Sequence, residues 1–143
     1  MRVLLETVTF LWAMNAPERL SREALAILVD PETLRELSAL SISEMAIKRA
    51  RGKLDFSRAD VEQGIADLRV RVLPYAAEHS FRLFELPLHH IDPFDQQIIA
   101  QAMAEDIVSG RRSRRLGNSF QLQFLQRGGK DAGEGILARA GEQ

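Results

Sequence analysis

Residues 1–15 read MRVLLETVTFLWAMN. The run RVLL, leucine-rich with one β-branched residue, predicts a buried strand. Glu6 ends it, and TVTFLWAMN, residues 7–15, predicts a short helix of large apolar residues. Phe10, Trp12 and Met14 are read as core. A carboxylate beside a core is costly unless something pairs with it. Glu6 is therefore either emerging into water or held in place to bind something.

The pattern repeats outward from that start. APERLS interrupts it, and Ser21 is a good N-cap for REALAILVD, residues 22–30. PETLREL leads into a second strand around Arg35 to Ala39. SISEMAIKRARGKL, residues 41–54, is the clearest helix: Ser41 and Glu44 form an S-x-x-E capping box, and Gly52 is its stop. A weaker helix covers Arg58 to Leu68, and Val70 to Pro74 reads as a strand. AAEHSFRLFEL then predicts a helix ended by Pro87. Asp92 and Pro93 suit N-cap and N1 of a helix whose apolar stripe is Phe94, Ile98, Ile99, Ala102 and Met103. DIVSG, residues 106–110, predicts a last short strand. Strands alternating with helices imply an α/β domain with a mainly parallel sheet.

Composition narrows the function classes. The chain has 143 residues, 45% hydrophobic and 27% charged, which fits one domain with a real core. Net charge is −1, so no global basic character advertises nucleic acid. There is no cysteine, which excludes disulfides and thiolate zinc sites. His79, His89 and His90 are poorly spaced for zinc, and His89–His90 is read as a loop pair. No apolar run suits a membrane span, and the start lacks a signal peptide's pattern, so a cytoplasmic protein with no membrane partner is expected.

Seven of the nine glycines lie between Gly110 and Gly141, and Arg111, Arg112, Arg114 and Arg115 crowd one stretch. The arginines are read as a solvated cluster, with an ion pair from Arg111 to nearby carboxylates or contact with nucleic-acid phosphates as the alternatives. The expected division is a domain over residues 1–118 and a divergent, flexible tail over 119–143.

In an open parallel sheet, ligands gather beyond the carboxyl ends of the strands. Glu6 follows the first strand, Glu44 lies in the first turn of a helix that closely follows the second, and Asp95 lies in the first turn of a later helix. Gathered at one sheet edge, the three would repel, and a hard divalent cation such as magnesium would relieve the repulsion. Such an ion activates water and neutralises phosphodiester charge without any cysteine, histidine or serine nucleophile. Each acid also has a local alternative: Glu44 and Asp95 both suit the positive end of a helix.

MRVLLETVTFLWAMNAPERLS, SISEMAIKRARGKLDF and LPLHHIDPFDQQIIAQAMAED together resemble a PIN-domain protein of the VapC toxin type. The family pattern opens with a strand, Asp-Thr and a hydrophobic Leu-Trp turn. A Trp-Glu-Ile-Ala-x-Lys helix follows, and later Asp-Pro-Phe-Asp before Ile-Ala-Gln-Ala. Order and separation match across residues 1 to about 110. The resemblance implies a three-layer α/β/α domain and a magnesium-dependent endoribonuclease, with manganese as an acceptable substitute. It implies a VapB-like antitoxin that neutralises the enzyme, and a homodimer. It also implies catalytic, metal-ligating roles for Glu6, Glu44 and Asp95, with Thr7, Asp92 and Lys48 in support: Thr7 beside the first acid, Asp92 as helix cap, Lys48 toward phosphate or toward solvent.

The departures point to a second function class. Glu6 stands where the family has Asp, and Ser43 where it has Trp. Val8 replaces a position often polar in the family. IVSG runs into Arg111 where a further Asp is expected, and nothing beyond Gly110 matches; QLQFL, residues 121–125, is the substitute for the closing strand. Magnesium tolerates poor octahedral geometry badly. The alternative is thus a catalytically weakened PIN-like protein-interaction module.

Overall fold

The computed structural model describes residues 1–86 and 92–107. Three strands, β1 (Arg2–Leu5), β2 (Leu34–Ser38) and β3 (Arg71–Leu73), form a sheet in that order, and every pairing is parallel. Leu5 lies beside Leu37 and Leu37 beside Val72; on the other face Leu4 lies beside Glu36 and Glu36 beside Arg71. The helices are α1 (Thr7–Asn15), α2 (Arg22–Val29), α3 (Ala39–Ala50), α4 (Arg58–Asp67), α5 (Ala77–Arg82) and α6 (Pro93–Ala104).

After Arg2 the strand is apolar at every position, Val3 to Leu5, because both sheet faces are covered there. Successive side chains of a strand point to opposite faces. Leu5 packs with Leu37, Phe10, Leu11, Leu28, Met45 and Val61, drawn from α1 to α4. Its neighbour Leu4 packs with Leu73 and with Ile98 and Ala102 of α6. Burying each leucine contributes about 2 kcal/mol, and this division makes the α/β/α layering expected from the sequence.

Helix ends follow local chemistry. Ser21 Oγ accepts from Ala24 N–H at 3.1 Å, as its N-cap position predicts. Asp92 Oδ1 accepts from Phe94 N–H at 2.8 Å, with Pro93 at N1. Gly52, at φ +70°, closes α3 in a conformation that glycine adopts without strain.

Two expectations are corrected. Helix α3 starts at Ala39, capped by Ser38 Oγ accepting from Leu40 N–H at 3.1 Å. The Ser41–Glu44 capping box therefore does not exist. Strand β2 passes into α3 without a loop, so the serine already at the strand end takes the cap. Glu44 moves to the second turn, where no helix N–H competes for its carboxylate. AAEHSFRLFEL is not one helix either: α5 stops at Arg82 and a 3-10 turn, Leu83–Glu85, follows. Leu86 is extended at φ −90°, ψ 138°, the conformation favoured before Pro87.

Of DIVSG, Asp106 and Ile107 belong to the turn that ends α6, where Ile107 N–H donates to Ala102 C=O at 2.9 Å. Residues 108–110, His89 and His90, the arginine cluster, QLQFL and the boundary at 118/119 lie outside the described residues. Among the described residues, no helix is long and apolar enough to cross a membrane.

Candidate functional site

Glu6 is the hinge residue between β1 and α1. Its backbone is extended and its carbonyl accepts from Phe10 N–H at 3.0 Å, so it occupies the N-cap position of α1. Its side chain makes no cap bond. The residue is only 3% exposed, and neither carboxylate oxygen has a hydrogen-bond partner. A buried carboxylate in that state is costly. Burial first, then the charges of Asp95 and Glu44, push its pKa up to about 9.

Asp95 is carried in by the first turn of α6, which the Asp92 cap and Pro93 aim at the same place. Its pKa is pushed up to about 6 by burial, then by Asp92 and Glu44, with Lys48 opposing. Glu44, from the second turn of α3, is buried and held at both oxygens. Lys48 Nζ donates to Oε1 at 2.7 Å, and Thr7 Oγ1 donates to Oε2 at 2.5 Å. Thr7 Oγ1 also lies 3.0 Å from Ser41 Oγ in a hydroxyl–hydroxyl bond. The structure thus places Glu6, Glu44 and Asp95 close enough to disturb one another, with Thr7, Lys48 and Asp92 around them. The end of β1 and the early turns of α3 and α6 converge at the carboxyl edge of the sheet, where open α/β sheets hold their ligands.

The sequence marks Ser41 only as a cap. It is fully buried and belongs instead to the chain Ser41–Thr7–Glu44. The signal for it in the sequence is Ser38, which offers a second cap three residues earlier.

A second polar group lies under the opposite end of the sheet and was not anticipated. Glu36 is fully buried on β2. Arg2 Nε donates to its Oε2 at 2.6 Å, and Arg71 pairs with its Oε1. Arg2 reaches on to Glu105 Oε2 at 3.0 Å, and Glu105 Oε1 lies 3.0 Å from His79 Nε2. Among the described residues, Glu78, His79 and Glu105 present ligating atoms within 4.8 Å of one another, a span that suits a cation. Their own partners argue otherwise. His79 Nδ1 accepts from Ala76 N–H at 2.8 Å, which leaves the proton of neutral imidazole on Nε2, facing Glu105. The hydrogen bond from Arg2 holds Glu105 below the usual carboxylate range. This is a satisfied ion-pair network joining β1, β2, β3, α5 and the end of α6.

The contrast identifies the site with something left to bind. Of Glu6, Glu44 and Asp95, it is Glu6 that offers two buried oxygens without partners. An all-oxygen donor set suits a hard divalent cation that keeps several waters.

Residues 3–109 match the PIN domain family. No curated protein matches the chain. A similar solved structure is the crystal structure of VapBC2 from Rickettsia felis bound to a DNA fragment from its promoter. The likeness has a TM-score of 0.55 at 18% identity, covering 74% of this chain and 83% of that one. At that identity it speaks for the fold.

Proposed function

The chain belongs to the PIN-domain family, and on that premise we propose that it is a VapC-type toxin, a magnesium-dependent endoribonuclease neutralised by a VapB-like antitoxin. The observation that carries this reading is the buried Glu6 carboxylate, without a partner at either oxygen, among Glu44 and Asp95. A protein retains such a group where a cation offsets its cost.

Glu6, Glu44 and Asp95 would hold Mg2+, or Mn2+ in its place. When bound, the cation activates water and neutralises charge on the phosphodiester. The chain's own residues set the geometry. Thr7 fixes the Glu44 carboxylate through Oε2. Asp92 caps α6 and so aims Asp95. Lys48 supplies positive charge at the mouth of the site, where its side chain is 44% exposed. The substrate is RNA, met in the cytoplasm. A second copy of the chain docks against the exposed, mutually stacked Phe81 and Phe84, whose ring centroids are 6.4 Å apart.

One observation favours the weakened interaction module. With its pKa near 9, Glu6 carries a proton at neutral pH until a cation displaces it, and its extra methylene sets the carboxylate differently from the family's Asp. The test is cleavage of labelled RNA by the purified chain in Mg2+ or Mn2+. Activity abolished by chelator and by Asp95→Asn supports the nuclease. An inert chain that gains activity on Glu6→Asp with Arg111→Asp supports the weakened form. An inert chain that gains nothing removes the enzyme reading.

A further inference from the structure

Lys48 lies one helical turn after Glu44 on α3, and its ammonium donates to Glu44 Oε1 at 2.7 Å. The two ends of this pair are unlike. The Glu44 side chain is 5% exposed, whereas that of Lys48 is 44% exposed. The carboxylate is fixed, by Thr7 as well, while the ammonium sits on a flexible four-carbon stem with water beside it. Water at the exposed ammonium screens the pair and weakens it. Lys48 also acts on Asp95, where its charge opposes the rise in pKa. The bond occupies an oxygen that a divalent cation needs, and a double charge outcompetes a single one at the same carboxylate.

We propose that Lys48 is an exchangeable counter-ion: its ammonium holds Glu44 until the divalent cation arrives, then swings from Oε1 to a phosphate of the RNA substrate. This rests on the nuclease reading and adds to it. Metal loading and the appearance of a phosphate-binding charge become one event, because the same ammonium cannot serve both partners. The metal-free protein keeps its acid cluster partly neutralised, and the loaded protein presents a free cation at the mouth of the site. Lys48 is then a positioning residue for Glu44 without metal and a substrate contact with it.

The test uses the full chain as wild type, Lys48→Met and Lys48→Arg, with circular dichroism melts to confirm folding. Mn2+ titration by calorimetry is expected to give about tenfold tighter binding to Lys48→Met, since both the competing bond and one positive charge are gone. Lys48→Arg restores wild-type or weaker Mn2+ affinity. Binding of a fluorescein-labelled oligouridylate in Ca2+, read by anisotropy across a salt series, is expected to lose about 0.7 from the slope of log K against log salt in Lys48→Met, one phosphate contact on a single strand. Mn2+ affinity equal to or weaker than wild type in Lys48→Met overturns the proposal, as does an unchanged salt slope. If wild type binds Mn2+ and Lys48→Met does not differ, the exchange alone fails. If wild type binds no Mn2+, the nuclease reading fails and the exchange falls with it.

Discussion

Replacing Glu6 by glutamine should stabilise the metal-free protein at neutral pH. The Glu6 pKa rises from 4.5 to about 9 on folding. A carboxyl group whose folded pKa is raised holds a proton that the unfolded chain releases. Its contribution to stability therefore falls as pH rises from about 4.5 and levels off above about 9. Between 4.5 and pH 7 lie about 2.5 pH units at about 1.36 kcal/mol each, or roughly 3 kcal/mol. Glutamine has nearly the same shape and does not titrate, so the variant escapes this loss. In a chain of 143 residues that corresponds to a melting temperature higher by about 10 °C at pH 7. At pH 4 the two proteins should melt within a few degrees of each other. Mn2+ at about a hundred times its Kd should raise wild-type stability by about 2.7 kcal/mol and the variant's by much less. The assay is thermal unfolding by circular dichroism between pH 4 and 8.5, with and without Mn2+. Parallel pH profiles for the two proteins, or equal stabilisation of both by metal, would refute the reasoning.

Three further outcomes follow from the packing. Arg2→Met leaves the fully buried Glu36 carboxylate with only the half-exposed Arg71 and should cost about 2 kcal/mol in urea unfolding. Glu36→Leu added to Arg2→Met should recover most of that, because it removes the buried charge that the single variant leaves poorly paired. At Gly64 an added Cβ would come within 1.9 Å of Met14 Sδ and 3.3 Å of Phe10 Cζ. Met14 can swing aside, so Gly64→Ala should lose about 1 kcal/mol net of its helix-propensity gain, and a double-mutant cycle with Met14→Ala should show the coupling. Phe81→Ser with Phe84→Ser should convert the proposed dimer to monomer in light scattering while changing stability by no more than about 0.5 kcal/mol, since the residues are 68% and 88% exposed; a persistent dimer would place the interface elsewhere.

The order of elements was legible along the chain because each is a local pattern. RVLL, the Ser21 and Asp92 caps, Pro93 and Gly52 act over a few residues, and a strand–helix alternation admits few folds. The three blocks that resemble the PIN family carried Glu6, Glu44 and Asp95 as candidates in the same way. Three things needed the tertiary structure. Spacing favoured Ser41 as the α3 cap, but β2 stays paired with β3 as far as Ser38, which ends the strand and takes the position. Nothing near Glu36 in the sequence marks it as buried, because its partners Arg2 and Arg71 are about 35 residues away on either side and become neighbours only across the sheet. Glu6 could equally have faced water. Its missing partners and raised pKa come from helices α3 and α6 closing over the end of β1, and burial and charge proximity are properties of the packed chain that no local pattern encodes.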